Sequence, residues 1–216
     1  MLIIIIIVLI LIFLFNFIAY WIICLKQKHQ MSKSYELYKK IFPIIWMVSI
    51  FLIPVLNSSF FEPFFYINVS YFRQYWPWFF LIGIITIIFG IKINSLAIKS
   101  LKIVINGNES PKLIVKGVYE IVRHPQYFSW FLMYFGITFI FDSLIALIIS
   151  PILFILTDRL CLLEEKYLLI PKFDMKYDQY KNKTPYRLIS PPYNYIFIIM
   201  GLIVVYIGIS NYFNLQ

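Results

Sequence analysis

The sequence predicts an all-α fold: a multi-pass transmembrane bundle of about six helices, in which a helical hairpin and a cytoplasmic helix extension form the functional site. Of the 216 residues, 62% are hydrophobic and 13% are charged, and the mean hydropathy is +0.83. A water-soluble domain has a charged fraction of about a quarter, so this composition excludes one. Several apolar runs also reach the roughly 20 residues that a helix needs to cross a bilayer. We therefore predict an integral membrane protein.

Three apolar runs in the first half of the chain predict one helix each. Met1 to Leu25 carries no charge, and it lacks the basic start and the small-residue cleavage site of a signal peptide, which indicates a retained helix. Ile41 to Phe60 contains prolines that a packed membrane helix tolerates. Trp76 to Ile98 is entered through "YWPW", an interfacial aromatic anchor. Residues 1–75 thus form an N-terminal two-helix element that packs against the rest.

The second half of the chain predicts a hairpin and a last helix. Tyr127 to Leu156 is too long for one upright helix and too short for two full ones. Asp142 and Ser143 lie in its middle, which indicates a tight turn there; a carboxylate in an apolar stretch is otherwise a functional candidate. Tyr193 to Tyr212 predicts the last span. We expect one domain, with a core over 76–191 and a C-terminal helix in 192–216.

The lysines and arginines predict the orientation. Five lie in Lys26 to Lys40, six in Lys92 to Arg123 and seven in Arg159 to Arg187, and Arg73 lies in a loop on the opposite side. An alternating path of six helices places the three basic segments on one face, which the positive-inside rule makes cytoplasmic, with both termini outside. The membrane is the plasma membrane if the protein is prokaryotic and the endoplasmic reticulum if it is eukaryotic.

Charge and cysteine content exclude several partners. The net charge of +9 is spread along the membrane edges, where it attracts anionic lipid headgroups, and the sequence contains no nucleic-acid-binding module. Cys24 and Cys161 both map to the cytoplasmic ends of helices, where a disulfide is not expected. With two scattered histidines they form no ligand cluster, so no metal site is predicted. No obligate protein partner is indicated.

Polar residues concentrate in two stretches that flank the hairpin. The first is "GVYEIVRHPQY", which contains Arg123 and His124, and the second covers 158–192 and contains Glu164 and Glu165. A hairpin brings its two ends together, so the two pairs become neighbours at one rim of the membrane. Each residue also has a simpler interpretation: Arg123 as a positive-inside anchor, and the glutamates on a solvated helix face. The joint arrangement favours a site.

Helix signals refine this site. Pro125 suits the first turn of a helix, which places His124 at the helix start. If the second hairpin helix continues to about Leu169 and is stopped by Pro171, then Cys161 shares a face with one glutamate of the pair. That glutamate points into the site, while the other faces solvent or a basic loop.

These motifs resemble a known superfamily. The series "GVYEIVRHPQY", a hairpin-length apolar run, "EEKYLL", the tyrosines at 177 and 180, and "TPYRLISP" is similar to the isoprenylcysteine carboxyl methyltransferases and phospholipid methyltransferases, over Gly117 to about Pro191. The resemblance implies a membrane methyltransferase that binds S-adenosyl-L-methionine from the cytoplasmic side. It implies cofactor-binding roles for Gly117, Tyr119, His124, Tyr127, Glu164 and Glu165. It also implies that Arg123 lies at the reacting end of the substrate, with Arg123, His124 and Glu165 as the catalytic residues.

Two positions depart from the pattern of these relatives. The phospholipid branch often has Gly-x-Gly where this chain has Gly117, Val118 and Tyr119. The usual Phe-Gly after the glutamates is Phe173 followed by Asp174.

A site at the membrane rim predicts a lipidic or prenylated acceptor that enters from the bilayer among the membrane lipids. An isoprenylcysteine-type carboxylate is the first expectation, an amine of the phosphatidylethanolamine type the second and a thiol the third. A carboxylate needs no general base, and the planar fork of Arg123 would position it. An amine or a thiol must lose a proton, for which His124 or a glutamate is the candidate base.

Two alternatives belong to other classes. One is an NADPH-dependent membrane reductase of the steroid-reductase type. Such reductases usually carry a glutamate shortly after a Pro-x-Tyr element, whereas Phe128, Ser129 and Trp130 occupy those positions here. The other is a non-catalytic membrane protein, and the intact arginine, histidine and glutamates argue against it.

Overall fold

The structure, a computed structural model, describes residues 2–26, 33–56, 76–105, 113–191, 194–195, 198–199, 202–203 and 206. Over these residues the protein is helical and contains no strand, which confirms the all-α prediction. The elements are α1 (Leu2–Lys26), α2 (Lys33–Leu56), α3 (Trp76–Ile105), α4 (Val118–Ile121), α5 (Pro125–Ile140), α6 (Leu144–Glu164), a π-helical turn (Glu165–Leu169), α7 (Ile170–Phe173) and α8 (Met175–Lys183).

Helices form where the first three apolar runs predict them, but two are longer than the runs. α2 begins at Lys33 rather than Ile41, and α3 ends at Ile105 rather than Ile98. The apolar count misses these extensions because "KSYELYKK" and "KSLKI" contain good helix formers without being apolar. The predicted last span, 193–212, lies largely outside the described residues, and its described positions between 194 and 206 are helical.

One helix in the described part of the chain is long and apolar enough to cross a membrane. It is Pro77–Leu101 within α3, and α1 and α2 contain the shorter apolar segments Ile7–Ile22 and Ile44–Leu56. The multi-pass path of six spans and its cytoplasmic orientation are therefore not confirmed and stay predictions.

The hairpin turns where the sequence predicts. α5 ends at Ile140, α6 begins at Leu144, and Asp142 adopts φ 51° in the turn between them. Ser143 caps α6 by accepting a hydrogen bond from the Ala146 N–H at 3.3 Å. Asp142 thus lies in the turn, as expected for a residue that marks it.

α3 packs against α5 through small residues, in antiparallel orientation. Gly83 lies against Gly136, and seven residues further along α3 Gly90 lies against Ser129. A Cβ built at Gly136 would meet the Gly83 carbonyl oxygen at 2.6 Å and Ile87 Cγ1 at 2.5 Å. Helices in membranes often approach closely at such positions, because small residues let backbone atoms come into contact. This contact fixes the hairpin, and with it the rim where the polar residues lie.

The extension of α6 differs from the prediction in how it ends. The helix does not stop near Leu169 at Pro171 but passes through the π-helical turn and continues to Phe173. In that turn the Ile170 N–H donates to the Glu165 carbonyl, five residues back. The wider turn accommodates Pro171, which would remove a hydrogen bond and clash with a carbonyl in a regular helix. The helix ends where Asp174 adopts φ 46° and ψ −128°.

Gly136→Ala should destabilise the protein. The new methyl group would overlap backbone atoms of α3, and overpacking of about 1–3 kcal/mol outweighs the gain of roughly 1 kcal/mol in helix propensity. We expect a lower midpoint of thermal unfolding in detergent. Ser95→Ala, at an exposed position of α3, is the control and should leave the midpoint unchanged. An unchanged midpoint for Gly136→Ala would contradict the packing described.

Asp174→Gly should stabilise the protein. The backbone at Asp174 has a positive φ that glycine adopts without strain, and its side chain makes no capping hydrogen bond to α8. We expect a net gain of about 1 kcal/mol, visible as a midpoint raised by about 2–4 °C. The same substitution at exposed Asp178, inside α8, should lower the midpoint because glycine weakens a helix. If both variants lose stability, Asp174 is not strained.

Candidate active site

A buried ion pair lies at the rim of the hairpin. Arg123 Nε donates to Glu165 Oε1 at 2.8 Å and Arg123 Nη2 to Oε2 at 3.3 Å, and each side chain is 3% exposed. Arg123 Nη1 also donates to the Thr184 carbonyl at 2.6 Å. The arginine fork is thus matched on the carboxylate in two-point geometry, which is the strongest arrangement for such a pair.

His124 joins the two glutamates. It is the N-cap of α5, with Pro125 in the first turn, as the sequence predicts. Its Nε2 lies 3.1 Å from Glu165 Oε1, and its Nδ1 lies 3.7 Å from Glu164 Oε2. An ionised carboxylate only accepts hydrogen bonds, so Nε2 must be the protonated nitrogen. In the neutral imidazole, Nδ1 then carries the lone pair and faces Glu164.

Glu164 and Glu165 have different surroundings. Glu164 Oε1 accepts hydrogen bonds from Tyr20 at 2.7 Å and from Tyr127 at 2.6 Å, and its side chain is 22% exposed. Glu165 is therefore the inward glutamate of the prediction. The other glutamate remains partly exposed to solvent, as predicted, but it also binds two tyrosines that the prediction did not include.

The C-terminal segment after α8 closes the site. The Arg123 N–H donates to the Tyr186 carbonyl at 3.0 Å and the His124 N–H to the Arg187 carbonyl at 2.9 Å. The Arg187 side chain pairs with Asp158 at 2.5 Å, and its Nε lies 3.8 Å from Glu165 Oε2. The site therefore contains two arginines and three carboxylates, so carboxylate charge exceeds arginine charge.

Electrostatics set the charge state of the inward glutamate. Burial alone would raise the pKa of Glu165, but hydrogen bonds from His124 and Arg123, with their electrostatic attraction, outweigh burial and lower it to about 2. Glu165 is thus an anion at neutral pH. A carboxylate with such a low pKa is a poor base.

Three tyrosines lie beside this cluster and stay protonated. Burial, and then the charge of Glu164, raise the pKa of Tyr119 to about 12, and burial raises the pKa of Tyr177 and of Tyr180. Tyr180 donates to the Tyr119 carbonyl at 2.7 Å. Tyr177 is fully buried, and its hydroxyl lies close enough to Glu165 for that carboxylate to raise the pKa of Tyr177 further.

Most of the predicted site residues meet. Arg123, His124, Tyr127, Glu164 and Glu165 form one connected group, and Tyr119 is close enough for Glu164 to affect its pKa. Gly117 does not join them: it is exposed at φ 69°, and its N–H donates to Glu120. The roles of these residues in cofactor binding and catalysis stay predictions.

Sequence reasoning missed four contributors to the cluster, which are Asp158, Thr184, Arg187 and Tyr20. Thr184 and Arg187 belong to "TPYRLISP", which was used for the resemblance without a role for either residue. Tyr20 lies in an apolar helix that gives no local signal of function. Among the residues described, no group of three or more histidine, cysteine or acidic residues is arranged to hold a metal ion.

The hairpin thus ends in a buried Arg-His-Glu cluster, and it packs beside a helix that is long and apolar enough to cross a membrane. Residues 78–176 match the family model for phospholipid methyltransferases. The match confirms the resemblance to the superfamily of integral membrane methyltransferases, and it supports a membrane methyltransferase of the phospholipid type. The isoprenylcysteine type is not confirmed. No curated protein and no solved structure matches the chain significantly.

Glu165→Gln should destabilise the protein in a pH-dependent manner. It leaves Arg123 buried without a counter-charge, which costs about 3–5 kcal/mol. Because the pKa of Glu165 is lowered in the folded state, its contribution is full above about pH 5 and is lost as the pH falls towards 2. We expect the difference in unfolding free energy between wild type and variant to shrink over this range. Asp178→Asn, at an exposed position, should change stability by less than about 0.5 kcal/mol. A pH-independent difference would contradict the assignment.

Proposed function

We propose that the protein transfers a methyl group from S-adenosyl-L-methionine to the amine of a phospholipid headgroup of the phosphatidylethanolamine type. The observation that carries the proposal is the excess of carboxylates over arginines at the rim of the hairpin, in a segment that matches phospholipid methyltransferases. Both the sulfonium donor and a headgroup ammonium are cations. The electrostatic attraction between a carboxylate and either cation is stronger in a partly buried site than it would be in bulk water.

The residues present fit such a cofactor. Glu164 is partly exposed, and its Oε2 lies 3.7 Å from His124 Nδ1, so a ribose hydroxyl or an amino group of the cofactor can donate a hydrogen bond to it. The cofactor supplies an activated methyl group, and transfer requires donor and acceptor to be held in line.

Deprotonation of the acceptor amine is assigned to His124. A protonated amine has no lone pair, so a base must remove its proton before or during transfer. Nδ1 of the neutral imidazole carries the available lone pair, because Nε2–H is held by Glu165. Glu164 lies on the Nδ1 side and would stabilise the imidazolium that forms. Glu165 acts here through orientation of the ring, since its own pKa is too low for a base.

The state of Arg123 favours an amine over a carboxylate acceptor. Three of its N–H directions point at Glu165 and at the Thr184 carbonyl. An isoprenylcysteine-type carboxylate, the first expectation from the sequence, would need an arginine free to hold it. In this arrangement such an acceptor would compete with Glu165 for the guanidinium of Arg123.

The direct test compares cofactors and acceptors. Detergent-purified protein is titrated calorimetrically with S-adenosyl-L-methionine and with NADPH. It is then incubated with methyl-labelled donor and vesicles that contain phosphatidylethanolamine, a prenylcysteine or a lipid thiol, and the lipids are analysed by mass spectrometry. We expect adenosylmethionine binding and label on the amine. Binding of NADPH but not of adenosylmethionine would overturn the proposal. Label on the carboxylate or on the thiol would show that the acceptor is not the phospholipid amine.

Glu164→Gln should weaken adenosylmethionine binding. Loss of the charge weakens hydrogen bonds that are strengthened by an anionic acceptor, and we expect a Kd about 10-fold higher, which corresponds to about 1.4 kcal/mol. Asp178→Asn is the matched control, because it removes an acidic charge from exposed α8 outside the cluster. Equal Kd values for wild type and Glu164→Gln would remove Glu164 from the cofactor site.

A further inference from the structure

Glu164 is held by two elements that are far apart in sequence. One donor to Oε1 is Tyr127, in the first turn of α5 within the segment that matches the methyltransferase family. The other is Tyr20, near the end of α1 and outside that segment. Two donors on one oxygen restrict the carboxylate to a single orientation, with Oε2 on the side of His124.

The position of the Tyr20 side chain is fixed by packing contacts that do not involve Glu164. Its side chain is 2% exposed, and its ring stacks on Phe42 with centroids 4.3 Å apart. One turn earlier on α1, the Asn16 side chain donates to the Phe42 carbonyl at 3.4 Å. The pair of α1 and α2 thus presents the Tyr20 hydroxyl in a defined place, so little conformational entropy is lost when it binds the glutamate.

α2 borders the same group of side chains. Trp46 packs edge-on against Tyr127, with centroids 6.4 Å apart, and against Trp130 at 5.3 Å. The N-terminal helix pair therefore also positions Tyr127, the other donor to Glu164. The sequence predicts α1 and α2 as packing elements, whereas the structure shows that α1 supplies one donor to the glutamate and that α2 packs against both donors.

We propose that Tyr20 is a positioning residue for methyl transfer: its hydroxyl holds Glu164 Oε1 so that Oε2 faces the donor cofactor. This inference rests on the proposed function. It makes the N-terminal helix pair a part of the active site, although the family match begins only at residue 78. A displacement of about 1 Å in a group that positions the cofactor is enough to reduce activity strongly.

The test is Tyr20→Phe, which removes the hydroxyl and retains the stacked ring. We expect the Kd and the KM for S-adenosyl-L-methionine to rise about 10-fold, the loss typical of a hydrogen bond to a charged group. The KM for the acceptor should not change. The stoichiometry of cofactor binding, measured in the same calorimetric titration, gives the fraction of protein molecules that are folded and able to bind. A merely structural role would lower that fraction, and with it kcat, at an unchanged KM for the cofactor. Tyr195→Phe, at an exposed tyrosine, is the control and should match wild type.

A double-mutant cycle identifies the partner of Tyr20. In the Glu164→Gln background, the effect of Tyr20→Phe should be much smaller, because residues that act through one contact are not additive. An effect that stays full in that background would overturn the proposal, as would a cofactor Kd unchanged by Tyr20→Phe. A Tyr20→Phe protein that does not fold would overturn it too, since the hydroxyl would then serve folding. If wild type binds no adenosylmethionine, the proposed function fails first, and that result is distinct from these.

Discussion

The buried pair of Arg123 and Glu165 is the interaction on which the site depends. Removing two charges from water costs several kcal/mol per ion, so the pair is favourable only where its geometry is close to ideal and the remaining donors are satisfied. Three separate segments meet these demands: the start of α5, the π-helical turn and the chain after α8, which supplies the Thr184 carbonyl. Because each segment contributes a required partner, their relative positions are fixed together. The orientation of His124 and the location of Glu164 follow from that.

The parts of the fold that the sequence predicts depend on local signals. Asp142 and Ser143 interrupt an apolar run, and a chain that must bury both halves of that run turns there. Pro125 lacks an N–H, which is tolerated in the first turn of a helix, so it marks a helix start and places His124 at the N-terminal end. The meeting of the arginine-histidine pair with the glutamates needed only these two local signals, because a hairpin brings its ends together whatever its details. This explains why the meeting of these four residues was predictable, while the other members of the cluster and its internal contacts were not.

The remaining features depend on geometry that has no local signal. The π-helical turn starts at Glu165 and changes the direction of every later side chain, which counting residues along a regular helix does not reveal. Pro171 was expected to stop the helix, but the wider turn admits it. Tyr20 is an ordinary interfacial tyrosine in sequence, and its contact with Glu164 spans 144 residues. Such long-range pairs are set by helix packing, here by the packing of α1 against α2.

For the proposed reaction, the adjacent glutamates contribute in different ways. Methyl transfer moves positive charge from the sulfonium to the acceptor nitrogen, so a carboxylate that attracts both ends equally binds the reactants without lowering the barrier. Glu165 is already neutralised by Arg123, and its effect is therefore on geometry, through the orientation of His124. Glu164 is bound by two tyrosines rather than by an arginine and lies beside Nδ1, which takes up the proton that the acceptor loses. Its attraction thus grows during the reaction, and an interaction that is stronger in the transition state than in the ground state is the kind that accelerates the chemical step.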